Sequence, residues 1–453
     1  VAAVCQTAGW ADTQQEAGIQ LLTRPNERSA DMKPPAHCPS KNNNGSHLKD
    51  QDNTYIAKTF AGLEQVLARE LLSMGAGNVE TLRRAVSFEG DRRMLYKANI
   101  RSRAALSILR PLDAFLFDTK ESFYGQMREI DWPGLFSPGK TISVIATAHD
   151  SAVFNNTMFL AQLSKDAIVD VFYDTCGGRP DVDTTGAQVR IVVNVQGDSC
   201  KVSLDSSGEP LFKRGYRKSG GKAPINEVLA AGLIMLSGWD MKSPFLDPMC
   251  GSGTFSIEAA MMSAQMPPGG ERKGFGFSHW NDYSEDLMRE EQAAARDEQR
   301  PLQASIVASD NKGIMLDITR QNVMNAGLLG SIQVQKNDFF AYHPKEATGW
   351  LLLNPPYGHR MGKQDVRALY IHIGDALKHR FAGFRAGIIS ADLDAMKNIG
   401  LKPTSRFPVF NGPLRCTFNL YDLFEGKRKE HVVKVRGTKD RKGEGAAKRR
   451  TRI

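Results

Sequence analysis

The spacing of apolar residues changes character along the chain. Residues 1 to about 53 show no sustained period. The run RPNERSADMKPPAHCPSKNNNGSHLKDQD is rich in Pro, Asn, Ser and charge, which predicts a disordered extension over 1–53. From Tyr55 the pattern sharpens. YIAKTF alternates as a short strand, and Leu63, Val66, Leu67, Leu71 and Met74 recur at helical spacing over 62–76. VSFEG predicts a strand and 94–112 a helix. TISVIATA predicts a strand, 157–173 a helix, and QVRIVVNVQGDSCKVSLDSSG two strands about a Gly-Asp turn. Two α+β units are expected, 54–115 and 116–208.

From about 222 helices and strands alternate. Helix 225–238, strand FLD and a glycine turn come first, followed by helix 254–262, strand SIVAS and helix 313–327. Strands IQVQ and WLLLN, helix 366–380 and strand AGIIS complete the series. Apolar strands between amphipathic helices predict an α/β unit over 209–426, with a mainly parallel sheet covered on both faces. TFNLYDLF is expected at the sheet edge. An insertion with Pro, Gly and a charged helix separates 263 from 304.

Composition narrows the class. The 453 residues are 41% hydrophobic and 24% charged, enough for ordinary cores. A net charge of +9 and a pI of about 9.1 favour a polyanionic partner. No apolar run reaches the roughly 18 residues of a membrane helix, and the first residues lack a secretory pattern, so no membrane role is expected. The six cysteines form no CxxC pair, which argues against a zinc or disulfide framework and fits a reducing cytoplasm. The nine histidines form no HExxH, and no metal is expected. The tail 427–453 carries twelve Lys or Arg against three acids and reads as a flexible cationic arm that grips phosphate.

Candidate chemistry gathers at strand ends. In 246-LDPMCGSGTFSIEAAMM-262, Gly251 and Gly253 let backbone approach a ligand, and a helix N-terminus follows. The longer GxGxxG of dinucleotide binding is missing. Asp247 precedes the turn, Asp310 closes the next strand and Asp338 follows the one after. Three acids on one sheet margin suit S-adenosylmethionine, with Asp247 toward its methionine end, Asp310 on ribose hydroxyls and Asp338 on the adenine amine. In 351-LLLNPPYGHR-360, two prolines stiffen a strand end that presents Asn354. Its amide oxygen and the Pro355 carbonyl can accept both hydrogens of an exocyclic nucleobase amine, freeing a lone pair for a methyl sulfonium. Tyr357 would stack on the base. The extra proton leaves after attack, so neither His359 nor a Cys250 thiol is needed as base or nucleophile.

LDPMCGSGTFSIEAAM, LLLNPPYGHRMG, RGYRKSGGKAPINEVLAAGLIMLSGW and FNGPLRCTFNLYDL together resemble the THUMP-domain class I RNA guanine-N2 methyltransferases, within them the RlmL-like 23S rRNA branch. The resemblance covers about Tyr55 to Glu425. It implies a ferredoxin-like module (54–115), a THUMP RNA-binding domain (116–208) and a Rossmann-like catalytic domain (209–426). It implies S-adenosyl-L-methionine held by Pro224, Asp247, Pro248, Cys250, Gly251, Ser252, Gly253, Thr254, Asp310, Asp338, Phe339 and Asn354, with Asn354, Pro355 and Tyr357 catalytic. Many members of that branch continue into a second methyltransferase. This chain ends in its basic tail, so only one methyl transfer is implied. In FKRGYRK, Arg214 and Arg217 are expected to contact RNA, and Arg360 the phosphate of the target. Arg101, Arg103 and Arg110 read as a solvated face or local salt bridges. A tRNA guanine-N2 enzyme, an N6-adenine methyltransferase and a non-catalytic RNA-binding assembly factor are the alternatives to a 23S rRNA enzyme.

Overall fold

Two seven-stranded sheets carry the chain. The computed structural model describes residues 53–218, 224–356 and 363–426. The first sheet comprises β1 (Asn53–Lys58), β2 (Gly77–Leu82), β3 (Ala85–Gly90), β4 (Ser107–Leu116), β5 (Ile142–His149), β6 (Val189–Gln196) and β7 (Ser199–Asp205). Their order is β2-β3-β1-β4-β7-β6-β5. Helices α1 (Glu64–Met74), α2 (Arg92–Arg101), α3 (Lys120–Glu129), α4 (Trp132–Leu135) and α5 (Thr157–Cys176) connect them. β4 pairs antiparallel with β1 on one side and with β7 on the other. The two α+β units therefore share one continuous sheet, and the boundary expected near 115 falls inside β4.

The helix predicted over 94–112 ends at Arg101. Asp91 caps α2 by accepting from the Met94 N–H, and Ser102 is already extended. A helix through Pro111 would lose a hydrogen bond and clash with the preceding turn, whereas β4 accommodates that proline beside an irregularity in its register. β2 carries no predicted strand because its residues are nearly all exposed and show no alternation.

The second sheet comprises β8 (Phe245–Asp247), β9 (Ile306–Asp310), β10 (Gln333–Lys336), β11 (Gly349–Leu353), β12 (Phe384–Ser390), β13 (Ser405–Asn411) and β14 (Leu414–Asp422). Helices α6 (Glu227–Ser237), α7 (Thr254–Ser263), α8 (Glu285–Asp297), α9 (Gly313–Asn325), α10 (Lys363–Arg380) and α11 (Leu393–Lys397) accompany it. The order β10-β9-β8-β11-β12-β14-β13 is parallel from β10 to β12. β14 runs antiparallel between β12 and β13, so TFNLYDLF is interior and β13 is the edge. The unbroken buried run Phe418–Tyr421 is what two-sided covering requires, while β13 alternates. β8 lies between β9 and β11. The strand order reverses there, which opens a crevice at the carboxyl ends.

The insertion between α7 and β9 straps the two sheets together. Arg101 pairs with Glu298, and Arg110 Nη1 reaches Asp282 Oδ2 at 2.8 Å. Arg103 Nη2 donates to the carbonyls of Met261 and Met266 at 3.2 and 2.6 Å. Phe277 stacks on Tyr96 with centroids 4.2 Å apart. The three arginines are thus inter-sheet ties and not a solvated face, because the insertion supplies acids and carbonyls remote in sequence. Cys200, Cys250 and Cys416 are buried, and Cys176 is disulfide-bonded, a pairing the cysteine spacing did not predict. Among the described residues no helix is long and apolar enough to cross a membrane, and no cluster of three His, Cys, Asp or Glu could hold a metal ion.

Candidate active site

β8 ends at Asp247, and the chain turns through Gly251 and Gly253 into α7. Both glycines have positive φ, +54° and +80°, a region that favours a residue without Cβ. α9 holds the turn from one side. Thr319 Oγ1 donates to the Gly251 carbonyl at 2.8 Å, and Asn322 Nδ2 donates to the Ser252 carbonyl at 3.0 Å. Pro248, Cys250, Ser252 and Thr254 are buried around it. α7 starts without a side-chain cap from Gly253, and since Asp247 already takes the Ser256 N–H, its first turn is only partly open to water or a ligand.

The strand-end acids share this margin but differ in their surroundings. Asp310 accepts from the Gly251 N–H at 3.1 Å with one oxygen and from the Lys312 N–H at 3.0 Å with the other. It ties the turn to β9 and keeps lone pairs free. Asp338 is exposed, and its Oδ1 accepts from the Phe340 N–H at 3.0 Å. Asp247 is buried, and its Oδ2 accepts from the Ser256 N–H and Oγ–H at 3.2 and 2.8 Å. That oxygen supports the first turn of α7 and does not face an open crevice. Phe339 is also turned inward, its ring stacked on Phe381 at 5.4 Å in the core beside α10.

Asn354 follows β11 on the same margin. Leu351 pairs with Leu246 on β8, so Asn354 comes off the sheet beside the glycine turn. Pro355 is buried and fixes the strand exit. Asn354 Oδ1 is buried, and among the described residues it accepts no hydrogen bond. A buried amide oxygen without a donor is costly, on the order of 1–3 kcal/mol. It leaves an acceptor that an N–H donor could complete. Tyr357, His359 and Arg360 lie outside the described residues.

The basic linker departs from expectation. Arg214 is buried with its Nε 3.6 Å from Glu258, and its Nη groups donate to the carbonyls of Leu211 and Arg103, both at 2.7 Å. Arg217 is mostly covered and pairs with Glu227. Neither guanidinium is presented to a polyanion, because each is consumed by a buried acid on α6 or α7. Thr319, Asn322, Ser256 and Glu258 all support the turn and were missed, while Glu227, in a segment the resemblance places near the cofactor, pairs with Arg217. Thr319 and Asn322, three apart on α9, left the one readable signal: two polar residues on a buried helix face.

Burial raises Asp247 to about 7, with the charge of Asp310 adding to it. Burial likewise raises Glu227 to about 7 against the pull of Arg217, and Asp205 to about 6. Burial also pushes the Cys250 thiol up, which disfavours the thiolate that a nucleophile needs. Each raised carboxyl binds its proton more tightly folded than unfolded. The stability each contributes is full below the unfolded carboxylate value of about 4, is lost progressively as pH rises from there through the folded value, and levels off above it. The ligand-free protein should melt higher at pH 6 than at pH 8, with Asp247 and Glu227 each contributing about 1 kcal/mol. Thermal unfolding across that range checks this, and Asp247→Asn should flatten the slope. A melting temperature that rises with pH would contradict it.

Residues 214–419 match the model for an RMKL-like methyltransferase domain, 54–109 the RlmL ferredoxin-like domain and 117–205 the THUMP domain. A putative RNA methyltransferase of Synechocystis is 37% identical over 372 residues, 82% of this chain and 97% of the relative. The ribosomal RNA large subunit methyltransferase K/L of Methylococcus capsulatus is 35% identical over 379 residues, 82% of this chain. The chain spans about half of that relative's length, 51%. Among solved structures, a putative methyltransferase complexed with SAH superposes with a TM-score of 0.75 at 29% identity, covering 83% of this chain and 99% of its own.

Proposed function

The chain belongs to the RMKL-like methyltransferases that carry an RlmL ferredoxin-like domain and a THUMP domain, and from that membership we propose that it methylates the exocyclic N2 of a guanine in large-subunit ribosomal RNA. At the coarser level it is an S-adenosylmethionine-dependent RNA methyltransferase. The cofactor, when bound, supplies a methyl group on a sulfonium. The residues fit it: a positive-φ glycine turn, an uncapped helix start, and acids at the next two strand ends. Gly251, Gly253 and Asp310 hold the near side and Asp338 the far side, while Asp247 braces the turn from beneath.

The observation that carries the amine target is the buried, unpartnered Asn354 Oδ1 at the end of β11. An exocyclic amine on guanine is a poor nucleophile because its lone pair is spread into the ring. Asn354 Oδ1 and the Pro355 carbonyl each take one of its hydrogens, which localises that pair. The rigid exit from β11 keeps both acceptors in place at little reorganisation cost. Tyr357 stacks on the base, which must leave its helix or come from a loop. Arg360 takes the target's phosphate, and the first sheet, with its ferredoxin-like and THUMP parts, holds the surrounding RNA.

Incubation with ribosomal RNA from cells lacking the gene, followed by mass spectrometry of the nucleosides, tests the reading. N2-methylguanosine is expected. N6-methyladenosine would move the enzyme to the adenine class. Guanine methylation of tRNA alone would move its substrate, and no methyl transfer to either RNA would leave only a binding factor. Removal of residues 427–453 should weaken RNA binding several-fold at low salt and flatten its dependence on salt, since each lost phosphate contact removes about one counterion from the slope. Filter binding at several salt concentrations measures it, and an unchanged slope would deny the tail this role.

A further inference from the structure

Arg217 lies in the linker between the first sheet and α6, and it bridges residues 225–227 to Thr254, which directly follows the glycine turn. Its Nη2 donates to the Ile225 carbonyl at 2.9 Å and to Thr254 Oγ1 at 2.7 Å. Its Nη1 pairs with Glu227 Oε1 at 3.2 Å. Thr254 is the first residue of α7, directly after Gly253, and Ile225 and Glu227 straddle Asn226, the cap of α6. The guanidinium thus spans from the start of one helix to the start of the next. With its side chain 17% exposed, these bonds form largely away from water, where they hold more strongly.

The linker around Arg217 is itself pinned. Tyr216 Oη donates to Glu258 Oε1 on α7 at 3.1 Å, and the Tyr216 carbonyl accepts from Asn325 Nδ2 on α9 at 3.0 Å. Arg214 sits against the same Glu258 and donates to the Arg103 carbonyl. Glu70 on α1 accepts from the Arg103 N–H and from Ser102 Oγ, both at 2.7 Å. A continuous path therefore leads from α1 in the first sheet, through the linker, to the first residue after the glycine turn.

We propose that Arg217 is a positioning residue for cofactor binding, locking residues 225–227 to the start of α7 so that the turn before that helix keeps the one geometry that receives S-adenosylmethionine. The proposal rests on the reading of that turn as the S-adenosylmethionine site. A planar fork can serve a carbonyl, a hydroxyl and a carboxylate at once; a lysine ammonium is a single point and cannot span all three. The role explains why a basic residue in so polar a stretch is spent on the protein's own groups.

The test uses the full chain with Arg217→Met and Arg217→Lys. S-adenosylmethionine affinity is read by calorimetry, and KM for cofactor and for RNA by methyl-transfer assay. R217M is expected to weaken cofactor binding by about tenfold or more, the order set by losing charge-assisted hydrogen bonds. R217K should recover part of that loss, and KM for RNA and kcat at saturating cofactor should stay near wild type. Cofactor affinity within twofold of wild type in a folded R217M overturns the proposal, as does a rise confined to KM for RNA. If R217M does not fold, R217K decides: unchanged cofactor affinity overturns the proposal and a partial loss supports it. A wild-type protein that binds no S-adenosylmethionine would instead sink the reading of the turn.

Discussion

Asn354→Ala should lower kcat by at least about a hundredfold, the usual cost of removing one fixed acceptor or donor at a developing charge. Affinity for S-adenosylmethionine should stay within about threefold, because the glycine turn, Asp310 and Asp338 do not depend on Asn354. The variant should also be no less stable than the wild type. Oδ1 is buried without a donor among the described residues, so its deletion removes an unsatisfied polar atom, worth on the order of 1 kcal/mol in favour of the variant. Loss of activity with retained or increased stability is the signature of a group kept for chemistry at the expense of folding. Single-turnover methyl transfer, calorimetry with the cofactor and thermal unfolding measure the three quantities. A melting temperature several degrees lower, with activity falling only in proportion, would make Asn354 a structural residue and leave the amine target without its acceptor.

The parallel half of the molecule was legible because its strands are buried on both faces. LLL at 351–353 and IVAS at 306–309 read as strands without neighbours, and the positions of Asp310, Asp338 and Asn354 follow from where such strands stop. β2 and β13 were not legible, since an exposed or alternating edge leaves little apolar signal. The same limit applied to side chains. Asp247 and Asp310 are both strand-end acids, and only Ser256, nine residues on, diverts one of them into the protein. Arg214 and Arg217 in FKRGYRK have the composition of an RNA contact, and that composition does not reveal Glu258 and Glu227. A basic residue reads the same whether its anion is phosphate outside or carboxylate inside. The deciding contacts are tertiary, between groups up to 44 positions apart for Arg214 and Glu258 (258 minus 214).

Gly253→Ala should cost S-adenosylmethionine affinity about tenfold or more while leaving the chain folded. Gly253 has φ +80°, and a Cβ there would lie 2.7 Å from Thr319 Cγ2 and 3.3 Å from its Oγ1. The left-handed conformation alone costs an L residue about 1–2 kcal/mol. The contact adds a second effect. Thr319 is fully buried, and its Oγ1 donates to the Gly251 carbonyl. Rotating Thr319 away from the new methyl gives up that bond, and holding it in place keeps the clash. Either way the turn shifts where the cofactor must lie against its backbone. The neighbouring Gly251 supplies the control: a Cβ there meets nothing nearer than Met315 Cε at 3.9 Å, with φ +54°. Gly251→Ala should therefore carry the backbone cost with little steric cost in the free protein, and its loss of affinity would arise against the ligand. Calorimetry and thermal unfolding on both variants separate the terms. Gly253→Ala should lose stability and cofactor binding together, and Gly251→Ala mainly binding. Wild-type affinity in Gly253→Ala would mean that the cofactor does not rest on this turn, and the site would have to be sought elsewhere on the sheet margin.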